Sequence, residues 1–131
     1  MFPEAFEVRM KALLGDEYAA YLASYDRPRN VGLRVNPLKT AEVPDLSRFG
    51  LTPVPWATYG HYYDSATRPG LSAYHEAGLY YLQEPSAMAP AGLLDVHPGM
   101  KVLDLCAAPG GKTTQLAAAL NGEGLLVCNI G

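Results

Sequence analysis

The chain opens with apolar residues at helical spacing. Phe6, Met10, Leu13 and Leu14 follow the i, i+4, i+7, i+8 stripe of an amphipathic helix over residues 3–14. Pro3 suits a first helical turn and Gly15 a C-terminal cap. Tyr18, Tyr21, Leu22 and Tyr25 continue at helical spacing, with Asp16 and Glu17 at the positive start of a second helix, and this tyrosine stripe reads as core. The period then drops to two. In VGLRVN, Val31, Leu33 and Val35 alternate with Gly32, Arg34 and Asn36, a strand that Pro37 ends.

Prolines punctuate the middle, at Pro44, Pro53 and Pro55, with a short helix around residues 45–49. LTPVPWATYGHYYD holds aromatic, strand-like pieces, of which Pro53 and Pro55 demote the first to an edge. Trp56, Tyr59, Tyr62 and Tyr63 read as a small satellite core. From Ala73 the pattern is helical again, with a helix expected from about Pro85 to a His97-Pro98-Gly99 turn and interrupted at Pro90. Glu84 caps or packs against that helix, and His61, His75 and His97 read as turn or packing residues. After the turn come an apolar strand KVLDL, a glycine turn, a helix over residues 112–120, an Asn121-Gly122 turn and a second apolar strand. This order is a β-α-β unit, the mark of a parallel doubly wound sheet.

The expected fold class is therefore α/β. A small mixed α/β domain over residues 1–90 precedes the first β-α-β unit of a Rossmann-like domain over residues 91–131. That unit lacks the further strands needed to cover its apolar faces. It is expected to self-associate through the incomplete sheet or to lean on the first domain.

Composition narrows the class. The 131 residues are 49% hydrophobic and 18% charged, with a net charge of −3, the profile of an ordinary soluble domain. No apolar run approaches the ~20 residues of a membrane span, and the N-terminus lacks the basic start and apolar core of a secretory signal. A cytoplasmic protein is expected. Each of the two cysteines, Cys106 and Cys128, ends an apolar run and reads as a buried thiol. Without a neighbouring histidine they make no zinc site. The acidic background is broken once: Arg27, Arg29, Arg34 and Lys39 lie in a stretch free of acidic residues.

The candidate chemistry lies in VLDLCAAPGGKTTQLAAAL, residues 102–120. A P-loop would require a glycine five positions before Gly111, where Cys106 stands. The dinucleotide pattern G-x-G-x-x-G fails as well, because Gly110 and Gly111 are adjacent. Asp104, at the end of the strand, would complement a cation. Gly110 and Gly111 admit close approach of a ligand to the backbone, and free N–H groups at the helix start suit a carboxylate, which Lys112 could also reach. These features suit an S-adenosylmethionine pocket better than a triphosphate pocket.

The same stretch resembles the first cofactor motif of the Sun-type RNA cytosine-5 methyltransferases. LRVNPLKT, PW followed by YGHYY, RPG, and HEAGLYYLQEPSAMAPAGLLDVHPG extend the likeness over residues 3–129 to the bacterial RsmF-like branch, which methylates 16S ribosomal RNA. The resemblance implies S-adenosyl-L-methionine as cofactor, held by Asp104, Cys106, Ala107, Ala108, Pro109, Gly110, Gly111 and Lys112. It implies an N-terminal module that engages RNA of the small ribosomal subunit, with Arg27, Arg29, Arg34 and Lys39 on phosphates. In that family a cysteine thiolate adds to C6 of cytosine and a second cysteine assists release, in motifs downstream of the first cofactor turn. Cys106 and Cys128 match neither, so no catalytic residue is assigned, and the chain corresponds to an N-terminal fragment that is inactive alone. Where the family closes its second strand with an acidic ribose-binding residue, this chain has Ile130. A non-catalytic RNA-binding module is the alternative, and an NTPase a third.

Overall fold

A computed structural model describes residues 2–40 and 45–130. Pro44 of the proline-rich stretch lies outside the described residues. Helices α1 (Glu4–Leu14) and α2 (Tyr18–Ser24) are joined by a 3-10 turn, Gly15–Glu17. Gly15, at φ +51, closes α1, where a side chain would be strained. The two helices pack on one another through their aromatic residues. Tyr18 is buried, Phe6, Tyr21 and Leu22 are half-buried, and Tyr25 and Leu13 are exposed. The tyrosine stripe is thus a small aromatic cluster with one buried member, in which Phe2 stacks edge-on against Tyr25 at 4.8 Å between centroids.

Four strands form an antiparallel sheet in the order β2 (Thr52–Pro53), β3 (Gly60–Tyr62), β1 (Gly32–Val35), β4 (Tyr80–Leu82). Pro53 lies on the edge strand, where its missing N–H removes no ladder bond. The centre is β1, whose every residue is buried. Leu33 pairs with His61 and Leu82, and Val35 pairs with Tyr80. These side chains pack on Leu46 and Phe49 to make the main core. The alternation in VGLRVN does not mark a wet face. Gly32 and Arg34 point to the other side, and that side is covered too.

What covers it is the segment after β4. Met88, fully buried, packs with Val54 and Ala57 into a second core. It does so because Gly32 and Gly60 leave room: a Cβ on Gly60 would lie 2.6 Å from the Met88 sulfur, and one on Gly32 would lie 3.1 Å from its methyl. Tyr62 packs there, whereas Trp56 and Tyr59 remain about half exposed, so the expected aromatic satellite core forms only in part.

Three expectations change in this region. Helix from Ala73 lasts only through α3 (Ala73–Glu76); Gly78 at φ +71 stops it, and the β-favouring Tyr-Tyr-Leu that follows pairs with β1 as β4. The helix expected from Pro85 is a 3-10 turn, Pro85–Met88, capped by Glu84. It is followed by α4 (Ala89–Leu93), with Pro90 in the first turn, where a missing N–H is harmless. Asp95, in the left-handed region at φ +50, ends the segment early.

The remaining elements are β5 (Lys101–Asp104), α5 (Gly111–Leu120) and β6 (Leu125–Cys128). The two strands pair in parallel, Leu103 with Val127 and Asp104 with Cys128, so the β-α-β reading holds in its connectivity. Leu116 and Leu120 of α5 are buried. On the sheet's other face, Leu103, Leu105, Leu125 and Val127 are each at least half exposed. Cys106 and Cys128 are both exposed, which corrects the buried-thiol reading: Cys106 stands in the turn beyond β5, and Cys128 ends a strand flanked only by β5.

Candidate functional site

The turn between β5 and α5 is built around Asp104. Its side chain is buried. One carboxylate oxygen accepts the Cys106 N–H at 3.1 Å and the other accepts the Thr113 hydroxyl at 2.6 Å. The carboxylate thus ties the end of the strand to the first turn of the helix. Ala107 is buried and its N–H bonds to the Asn129 carbonyl at 3.0 Å, which anchors the turn to the end of β6. Ala108 and Pro109, joined by a cis peptide bond, are exposed. Gly110 follows at φ +107, a conformation that any side chain would strain, with nothing within 4 Å of where its Cβ would stand. Gly111 instead faces Gln83 and Tyr81, the former 3.1 Å from its would-be Cβ.

Three successive carbonyls of this turn are held from the antiparallel-sheet side or by α5 itself. The Tyr81 hydroxyl donates to the Pro109 carbonyl at 3.0 Å. The Thr114 hydroxyl donates to the Gly110 carbonyl at 2.8 Å, and Arg34 Nη1 donates to the Gly111 carbonyl at 2.7 Å. In a trans peptide the N–H points opposite to the C=O. The N–H groups of Gly110 and Lys112, whose partner carbonyls are held by Tyr81 and Arg34, therefore face away from the antiparallel sheet, and that of Gly111, whose partner carbonyl accepts from Thr114, points back out of the helix start. They belong to the unpaired donors of a helix start. With the helix dipole they make an environment suited to an anion.

Arg34 is where the structure departs furthest from expectation. The sequence places it with Arg27, Arg29 and Lys39 as an expected phosphate contact. Its guanidinium is instead buried, 6% exposed, and donates to Gln83 Oε1, the Gly111 carbonyl, Thr114 Oγ1 and Gln115 Oε1. Among the described residues no carboxylate pairs with it. Burial pulls its pKa down from the usual arginine range to about 10, against the opposing influence of Tyr81, so it is a cation at neutral pH. A group so enclosed, with both Nη atoms bonded to protein acceptors, is turned away from solvent and from a phosphate there. Lys39 donates to the Ala77 carbonyl at 2.7 Å while remaining exposed. Arg27 and Arg29 are exposed on the segment leading into β1.

Residue-by-residue reading missed Tyr81, Gln83, Thr113 and Thr114. The two threonines stand in plain view in GGKTT, but nothing in the local sequence tells that one bonds Asp104 and the other Arg34. The acidic ribose partner expected after Asn129 is absent, and Ile130 is exposed there. A cavity of about 430 Å³ lies away from the turn, between the second half of α5, α4 and Trp56.

Known proteins place this geometry. The model of the N-terminal domain of 16S rRNA methyltransferase RsmF matches residues 2–85. The chain is 38% identical to ribosomal RNA small subunit methyltransferase F of Escherichia coli O157:H7 (strain EC4115 / EHEC), over 98% of its own length and 29% of that protein's. It is 40% identical to the protein of the same name from Vibrio cholerae serotype O1 (strain M66-2), again over 29% of the relative. The crystal structure of a methyltransferase homolog from Pyrococcus horikoshii superposes with a TM-score of 0.80 at 32% identity, covering 97% of this chain and 44% of that one. The chain thus spans under a third of the curated relatives it matches, and it belongs to the RsmF family of 16S rRNA methyltransferases, carrying that family's N-terminal domain.

Proposed function

We propose that this chain carries the RNA-engaging module and the first cofactor motif of an S-adenosylmethionine-dependent rRNA cytosine-5 methyltransferase, with a domain boundary near residue 90. The observation that carries this reading is the turn at residues 104–112: a buried carboxylate at the strand end, a glycine in a conformation closed to other residues, and three N–H groups facing outward. These features fit the amino-acid end of S-adenosylmethionine. Gly110, Gly111 and Lys112 hold its carboxylate, Asp104 supplies negative charge near the sulfonium, and Cys106, Ala107, Ala108 and Pro109 form the wall. The cofactor, when bound, supplies an electrophilic methyl group. Asp104 acts while keeping the turn in shape, because each of its oxygens has spare acceptor capacity beyond the bond it makes.

Arg27 and Arg29, with the exposed Lys39, meet RNA phosphates of the small ribosomal subunit. Such contacts set the position of the RNA without reading its sequence. Neither Cys106 nor Cys128 serves as the attacking thiolate: Cys106 belongs to the cofactor turn and Cys128 ends β6. The outer edges of β5 and β6, each paired only with the other among the described residues, are where further strands of the methyltransferase sheet or a second copy of the chain would add. The reading is of a cytoplasmic protein; no helix among the described residues is long and apolar enough to cross a membrane.

A second reading, a non-catalytic RNA-binding module, is favoured by Ile130, which offers a ribose diol no acceptor. Calorimetric titration with S-adenosylmethionine and with ATP separates the possibilities. Heat with the first alone supports the cofactor reading. Heat with ATP refutes it. Salt-dependent binding of 16S rRNA with heat from neither selects the second reading.

A further inference from the structure

The buried guanidinium of Arg34 has no part in the chemistry above and no carboxylate to balance it. Burying a cation is costly unless every donor is met. Here the acceptors are all neutral. Of the four, three belong to the first five residues of α5 and one to Gln83, next to β4. The contact spans 77 residues of sequence to Gly111 and joins the central strand of the antiparallel sheet to the helix that follows the cofactor turn. Thr114 extends it: the hydroxyl that accepts from Nη2 at 2.7 Å itself donates to the Gly110 carbonyl at 2.8 Å. Gln83 serves Arg34 with its oxygen while its amide nitrogen donates to the Ala87 carbonyl at 3.0 Å. The Arg34 side chain is thus fixed at its base by a fully buried strand and at its tip by a second set of held groups. A planar fork can address Gly111, Thr114 and Gln83 together; the point charge of lysine cannot.

We propose that Arg34 is a positioning residue for the cofactor turn: seated on β1, it holds the carbonyls of Gly110 and Gly111, directly and through Thr114, so that the N–H groups of Gly110, Gly111 and Lys112 stay turned toward the cofactor. The purpose assigned to the contact rests on the cofactor reading of the turn. The contact itself does not. Arg34 touches no cofactor atom in this scheme and acts only through α5.

The test uses ¹⁵N-labelled protein in four forms: unaltered, Arg34→Met, Arg34→Lys and Thr114→Val. Amide exchange is followed at Thr114 and Gln115, whose N–H groups close the first turn of α5. Val35, bonded to the Tyr59 carbonyl at 2.9 Å, and Val54, bonded to the Gly60 carbonyl at 2.9 Å, serve as reporters of the antiparallel sheet. S-adenosylmethionine affinity is read by calorimetry on the same samples. Losing a hydrogen-bonded charge at the helix start should speed exchange at Thr114 and Gln115 about tenfold or more relative to Val35 and Val54, and weaken the cofactor by a similar factor. Arg34→Lys should restore only part of both effects, and Thr114→Val should reproduce a smaller share of them. Uniform acceleration at all four amides, or none, would overturn the proposal. Should Arg34→Met not fold, Thr114→Val decides by the same criterion. If the unaltered protein takes up no cofactor while its Arg34→Met form loosens α5 selectively, the clamp stands and the cofactor reading falls.

Discussion

Met88→Ala removes the thioether arm that fills the hollow between two glycines. Met88 is fully buried and lies over Gly32 of β1 and Gly60 of β3, against Val54 and Ala57. Methionine-to-alanine changes in cores cost about 2–5 kcal/mol, and the spread reflects how far the site collapses. Here collapse is restricted. The two nearest backbone positions carry no side chain that could swing inward, and both strands are held in register by β1 pairing. The upper part of the range follows, about 3–5 kcal/mol. That is two to three and a half powers of ten in the folding constant, at about 1.4 kcal/mol per decade.

Trp56 is the single tryptophan, and its indole N–H donates to the Pro85 carbonyl at 2.8 Å, beside Met88's turn. Its fluorescence therefore reports unfolding of this region. With a urea m-value near ~2 kcal/mol/M, the midpoint should fall by about 2 M. Gly60→Ala tests the same packing from the other side. Its Cβ would stand 2.6 Å from the Met88 sulfur and 2.7 Å from the Ala57 Cβ, an overpacking worth about 1–3 kcal/mol. In the double variant the sulfur clash disappears and the Ala57 clash stays, so the combined loss should undershoot the sum by about 1 kcal/mol. A loss below about 1 kcal/mol for Met88→Ala, or strict additivity with Gly60→Ala, would refute the account of a thioether packed into a glycine hollow.

Gly124→Ala should be as severe for the parallel pair. Gly124 is at φ +121 and its Cβ would fall 2.4 Å from the Met100 carbonyl oxygen, which accepts the Leu125 N–H at 3.0 Å; a loss of about 3 kcal/mol is expected in thermal unfolding, and an unchanged melting point would count against it. Arg27→Gln and Arg29→Gln should each weaken binding of 16S rRNA alike across sequences and lower the slope of log affinity against log salt by about 1, whereas a sequence-selective loss would contradict phosphate contact. Asp45 sits at the start of the 3-10 turn Ser47–Phe49, where the Ser47 hydroxyl and then its N–H hold the carboxyl below its usual range. A depressed carboxyl stabilises the fold above its unfolded value of 3.8, and that contribution is lost as pH falls through the lower folded value. Melting curves of Asp45→Asn should therefore be flatter than those of the unaltered protein below about pH 4, and parallel curves would refute the contribution of its hydrogen bonds with Ser47.

Much of this molecule was legible along the chain because much of it is local. The helical stripe at Phe6 and Met10, the edge strand with Pro53, the capping Glu84 and the β-α-β order around Gly110 each follow from interactions within a few residues, where periodicity and turn chemistry act. The failure of the P-loop at Cys106 was decided by spacing alone. β4 was hidden because Tyr80–Leu82 is too short to show a period, and its pairing partner in β1 lies far back in the chain.

Arg34 was hidden for a deeper reason. In a string it is one of four basic residues in a neutral stretch, indistinguishable from Arg27 and Arg29. Only the packing of α5 onto the glycine face of the antiparallel sheet surrounds it with Gln83, Gly111, Thr114 and Gln115. Sequence determines that a charge is present and which side of a strand it leaves from. Whether that charge meets water, phosphate or a helix depends on which distant backbone closes over it. Desolvation and hydrogen bonding are settled only there.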